Sequence, residues 1–184
     1  MYVTSHDIAE GRGCRPGAGR RHRRGAGCVS ATEILASRSL TDAQLAAVHE
    51  ALDDEYRAFA YYSAVLERFP NAMPFAHIVD AEARHAAALA GVLRAHGHAV
   101  PPNPHIGSPE VRAAVPASVA CACDIAVEAE IDNVGLYVDR LLPAVADRDD
   151  LVAVFTWLME ASRDRHLPAF RRWTAGQRFK GGIA

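Results

Sequence analysis

The sequence of 184 residues holds only four cysteines, at positions 14, 28, 121 and 123, and no C-x-x-C pair. A disulfide framework and a zinc-ligand set are both disfavoured, because Cys121 and Cys123 sit two apart in a helical pattern and point in different directions. Reduced thiols are expected. No apolar run approaches the roughly 18 residues of a membrane span, and the first 30 residues lack the continuous apolar stretch of a secretory signal. The expectation is a cytoplasmic chain without a membrane partner. Aromatic residues make up 7% and charged residues 23%, against 50% hydrophobic, so a core can form and wholesale disorder or a fibrous class is excluded. At about 150 residues per domain the length suits one domain with an appendage.

The net charge of −2 hides an asymmetry. Residues 1–38 carry seven arginines against Asp7, Glu10 and Glu33, a local +4, which leaves −6 on the remaining 146 residues. Within that tail, GRGCRPGAGRRHRRGAGC (11–28) has almost nothing to bury and is expected to be disordered. Its Arg20, Arg21, Arg23, Arg24 cluster could attract nucleic acid without sequence preference, although no aromatic platform accompanies the charge. The predicted organisation is a disordered basic tail over 1–38, a helical domain over 39–178 and a disordered end over 179–184.

Four long segments of helical period follow, separated by proline and glycine, and nothing in them reads as a strand. Thr41 and Gln44 form a capping box that opens helix 41–69. Pro70 stops it, Pro74 suits the start of helix 74–96, and Gly97 suits its end. The proline-rich GHAVPPNPHIGSP (97–109) is a long connection. Further helices are expected at about 117–146 and 149–175, the last capped by Asp149 or Asp150. Two short connections flanking one long one predict an all-α four-helix bundle with a crossover between its second and third helices.

The apolar stripe of every helix carries an ionisable interruption. Glu55 and Tyr62 are seven residues apart, as are Glu130 and Tyr137, so each pair shares one face about 10 Å apart along the axis. Glu82 and His85 are three apart, side by side on one face, and His166 falls on the fourth stripe. Three carboxylates at mid-helix on buried lines each cost several kcal/mol without a partner, so a common positive partner is implied. His49, His77, His96, His98 and His105 have no partner at ligand spacing and are expected at the surface, as are Glu128, Asp132 and Asp139.

These motifs, EYRAFAYY in the first helix, EARH in the second, EIDNVGLY in the third and RDRHLPAF in the fourth, resemble the ferritin-like superfamily over about residues 41–175. The likeness is to rubrerythrin-type dimetal bundles and to a less characterised bacterial ferritin-like domain family. It implies that Glu55, Glu82, His85, Glu130 and His166 ligate one or two ions of iron or manganese, that Tyr62 and Tyr137 hydrogen-bond those ligands, and that the chain has oxidase- or peroxidase-type activity; a homodimer is expected in addition. The rubredoxin-like module of rubrerythrins is missing, so the electron donor would be another molecule. The pattern departs at Arg163, where a glutamate is expected three residues before the helix-4 histidine. An inward Arg163 would neutralise the glutamates in place of metal and give a metal-free structural or interaction bundle. An outward one, paired with Asp164 and Glu160, leaves the metal reading open.

Overall fold

The computed structural model describes residues 39–181, and every regular element in them is helical. The basic tail 1–38 and residues 182–184 lie outside the described residues. Helix α1 is Asp42–Arg68, α2 is Phe75–Ala95, and a short α3, Pro109–Ala114, lies within the long connection. Helix α4 begins as Val119–Leu136, widens into a π-helical turn at Tyr137–Leu141 and ends on Leu142–Ala144. Helix α5 is built alike, with Asp149–Ala161, a π turn at Ser162–His166 and Leu167–Gly181. The expected end at 175 is too early, and the segment 179–184 expected to be disordered is helical as far as Gly181.

Local chemistry sets the ends. Thr41 accepts from the Gln44 amide and Gln44 returns the bond to the Thr41 amide at 3.1 Å, which completes the capping box. At the end of α2 Gly97 takes φ +76°, its N–H bonds Arg94 and that of His98 bonds Leu93, the paired pattern of a Schellman stop. Helix α5 departs from expectation. Arg148 is its N-cap, without a side-chain cap bond, and Asp149 and Asp150 lie in its first turn. The guanidinium of Arg148 instead grips the Asp150 carboxylate at 3.0 and 2.7 Å.

Both π turns end two residues before a proline, Pro143 and Pro168. A proline inside a helix has no N–H to give and its ring collides with the carbonyl one turn back; a wider turn at that point relieves both conflicts. The widening shows in the bonds Leu142 N–H to Tyr137 and Leu167 N–H to Ser162, each reaching back five residues.

The core divides into two apolar clusters with a polar layer between them. One holds Val48, Leu52, Leu89, Leu93, Tyr137, Leu141, Phe155 and Leu158; the other holds Tyr62, Val65, Phe75, Ile78, Cys123, Ala126 and Phe170. Helix α1 passes from the first cluster to the second, α2 and α4 pass from the second to the first, and α5 returns to the second. Helices α2 and α4 therefore run the same way, which requires the chain to travel back along the molecule through residues 96–118. That is the physical reason for the long proline-rich connection. Each of the four long helices crosses the middle on an ionisable residue: Glu55, Glu82 with His85, Glu130, and His166. Among the described residues Cys121 and Cys123 are free thiols, as expected, and no helix is long and apolar enough to cross a membrane.

Gly91 and Gly97 offer a test of this backbone, since a methyl group added at either meets open space. Gly97→Ala is expected to destabilise by about 1–2 kcal/mol through its positive φ alone. Gly91→Ala, in the interior of α2, is expected to stabilise by about 0.5–1 kcal/mol. Urea unfolding of the two variants should show opposite signs.

Candidate metal centre

The middle layer brings five predicted residues to one place. Glu55, Glu82, His85, Glu130 and His166 are each at most 4% exposed. They form two groups, Glu55 with Glu82 and His85, and Glu82 with Glu130 and His166, and within each group one ligand atom per residue lies within 4.8 Å of the others. Glu82 belongs to both. Its Oε2 is 3.0 Å from His85 Nδ1 and its Oε1 is 2.9 Å from His166 Nδ1. Glu55 Oε2 completes one side at 3.2 Å from His85 Nδ1, and Glu130 Oε1 the other at 3.5 Å from His166 Nδ1. The two imidazoles stack, with centroids 5.5 Å apart.

The repeated glutamate–tyrosine unit explains the outer carboxylates. Each tyrosine serves the glutamate of the other helix: Tyr62 donates to Glu130 Oε1 at 2.6 Å, and Tyr137 donates to Glu55 Oε1 at 3.2 Å. Seven-residue spacing places each hydroxyl two turns from its own glutamate, so α1 and α4 exchange hydrogen bonds reciprocally. Burial first, and then the neighbouring carboxylates, push both phenols well above their ordinary range, which keeps them as donors. Each outer glutamate thus has one oxygen held by a tyrosine and an oxygen near a histidine nitrogen.

Arg163 requires a correction. It is not turned into the centre: it is half exposed and forms a two-pronged pair with Asp164 at 2.8 and 2.8 Å, with Glu160 3.7 Å away. The π turn is the cause. Widening rotates the residue three before His166 off the buried face and sets Ser162, four before, upon it at 5% exposure. A regular 100° step already sets Ser162 nearer to the line of His166 than Arg163, and the wider turn carries Arg163 further from it.

Other histidines also differ from expectation. His77 is exposed, but the His96 side chain is 4% exposed beside Asp150 and Arg148. His105 is partly buried on Asp53 at 2.7 Å. Arg148 and Asp53 each lie 52 residues away in the chain from their histidine, beyond the reach of helical spacing. Glu128, Asp132 and Asp139 are exposed, as predicted. Beside the centre, Asn133 donates to Asp54 at 2.6 Å, a pair that the pattern does not reveal.

Whether these residues fit a metal can be judged from one atom. His166 Nδ1 is buried and has no hydrogen-bond partner, although two carboxylate oxygens approach within 2.9 and 3.5 Å. Its proximity to them is not matched by alignment, which is the arrangement of donors that converge on a shared point. Three hard oxygen donors and two imidazole nitrogens also suit iron or manganese. The residues fit. No family model, curated protein or solved structure matches the chain, so the reading rests on this geometry and on the motifs.

Without a metal, protons must balance these charges. Burial pushes the Glu55 carboxyl up to about 8 against the help of His85. Burial raises Glu82 too, but the adjoining His166 and His85 imidazoles outweigh it and hold that carboxyl down at about 2. Burial works against the charge of His85 and His166, and the adjoining carboxylates overcome it, lifting them to about 9 and about 10. The folded chain therefore keeps protons on Glu55, His85 and His166 that the unfolded chain releases near 4.5 and 6.5. Stability of the metal-free protein should fall as pH rises from about 5 to 10, and below about 4.5 it should fall again as Glu82 is protonated. Urea unfolding in chelator across this range is expected to show a maximum near pH 5; a maximum above pH 8 would contradict the assignment.

Proposed function

We propose that this chain is a ferritin-like four-helix bundle that binds two divalent ions, iron or manganese, and performs redox chemistry on dioxygen or peroxide. Glu55 and His85 would hold one ion, Glu130 and His166 the other, and Glu82 would bridge them. The observation that carries the reading is the buried, unpartnered His166 Nδ1 between two carboxylates. A direction of travel in which α2 and α4 run parallel supports the ferritin-like topology. The resemblance supplies the metal and reaction class, and the homodimer and separate electron donor belong to the same proposal.

Bound iron or manganese would supply one-electron steps to an oxidant. The chain's own part is to hold and to tune. The two histidines accept an ion only after losing their protons, so binding releases protons and strengthens with pH. Tyr62 and Tyr137 fix the rotamers of Glu130 and Glu55 and can lend a proton-bearing hydroxyl beside the reacting centre. The apolar clusters above and below close those two sides of the layer to water. The rival metal-free bundle was favoured by Arg163 as a buried cation, and the exposure of that residue takes this support from it.

Because Glu82 serves both groups, Glu82→Gln should lose both ions, whereas His85→Ala should lose about one. Plasma emission on protein purified from iron-supplemented growth, with helicity checked by circular dichroism, reads the difference. Unchanged metal content in folded Glu82→Gln would remove the proposal.

A further inference from the structure

A cavity of about 250 Å³ adjoins the candidate centre between α1 and α4. Glu55, Glu82, Glu130 and Ser162 form its inner wall; Tyr61, Ile125 and Asn133 belong to the walls, and Asp54, Arg57 and Asp132 also line it. Neither histidine lines it, so this is the carboxylate side of the centre. The volume is about that of eight water molecules at roughly 30 Å³ each, room for a small organic molecule.

Two observations say what such a molecule would be. The first is charge. With both histidines neutral as ligands, three carboxylates set −3 against the +4 of two divalent ions, leaving +1 in a site whose ligands are at most 4% exposed. An unbalanced buried charge is costly, and one monoanion cancels it. Of the further carboxylates in the lining, Asp54 is engaged by Asn133 and Asp132 is exposed, while the buried face one turn before His166 carries Ser162, whose short hydroxyl is not an anion, and Arg163 is turned out. The second is hydrogen bonding. Tyr61 Oη and Asn133 Oδ1 are buried without partners, while the Asn133 amide is already spent on Asp54 at 2.6 Å. A phenol can donate to a carboxylate, but a carbonyl oxygen can only accept, so the same ligand needs a donor of its own.

We propose that the cavity binds a small hydroxycarboxylate, its carboxylate completing the ion set beside Ser162 and its hydroxyl reaching Asn133. Asp54 does not compete for this role, being engaged by Asn133 and lying 3.9 Å from Arg57. The inference rests on the dimetal reading, which it extends by naming a ligand class for the open side.

Equilibrium dialysis of the full chain against Co²⁺, with and without millimolar glycolate at matched free Co²⁺, tests it. Glycolate should raise the affinity for the second ion at least tenfold and change the visible Co²⁺ spectrum; ethylene glycol, which has no carboxylate, should do neither. Ser162→Glu carries its own carboxylate and should bind the second ion unaided, with the glycolate effect lost. Asn133→Leu leaves the ion ligands intact and should reduce the advantage of glycolate over acetate to under twofold; this variant keeps the test open if Ser162→Glu fails to fold. Two ions bound equally well with and without glycolate would overturn this proposal and leave the dimetal reading standing. No Co²⁺ bound under any condition would overturn both.

Discussion

Two imidazoles on either side of one glutamate hold the middle of this molecule together. Glu82 meets His85 with one oxygen and His166 with the other, and everything else in the polar layer is arranged around that bridge. Burying five ionisable groups costs several kcal/mol for each that lacks a partner, so the layer persists only if charge is matched within it. Protons can do the matching, but they leave His166 Nδ1 poorly bonded and make the fold sensitive to alkali. Divalent ions would match it with donors already aimed at shared points.

The same constraint orders the helices. Each rod carries apolar residues on both sides of its charged position, so the rods must cross the layer in register with one another. Once α2 and α4 take the same direction, a tight turn cannot join them, and the prolines of 97–109 with the short α3 provide the return path. The π turns belong to this account too. They sit where Tyr137 and His166 enter the layer, and the widened backbone aims those two side chains while Pro143 and Pro168 sustain the distortion. Functional positions commonly coincide with such bulges.

Much of this was legible in the residues. The capping box, the glycine stop, the four apolar stripes and the five charged interruptions all follow from a 3.6-residue period, which is why Glu55, Glu82, His85, Glu130 and His166 could be named together. Failures came where that period does not hold or does not reach. Arg163 stood open between an inward and an outward orientation, and the π turn, which spacing alone does not announce, goes with the outward one. His96 with Arg148, and Asn133 with Asp54, are pairs across helices, and no spacing along one helix announces them. The short α3 starts on the last proline of 97–109 and runs through residues left unassigned between that segment and the helix expected from 117; Pro109 stands in its first turn, where a missing N–H costs nothing.

The centre itself can be observed directly. Crystals of the protein grown with manganese or iron, with diffraction recorded on both sides of the metal's absorption edge, should give two anomalous peaks flanking the Glu82 carboxylate, one beside His85 and one beside His166. A single peak would reduce the centre to one ion. An anomalous map featureless between the four long helices, from crystals soaked at saturating metal, would contradict the account.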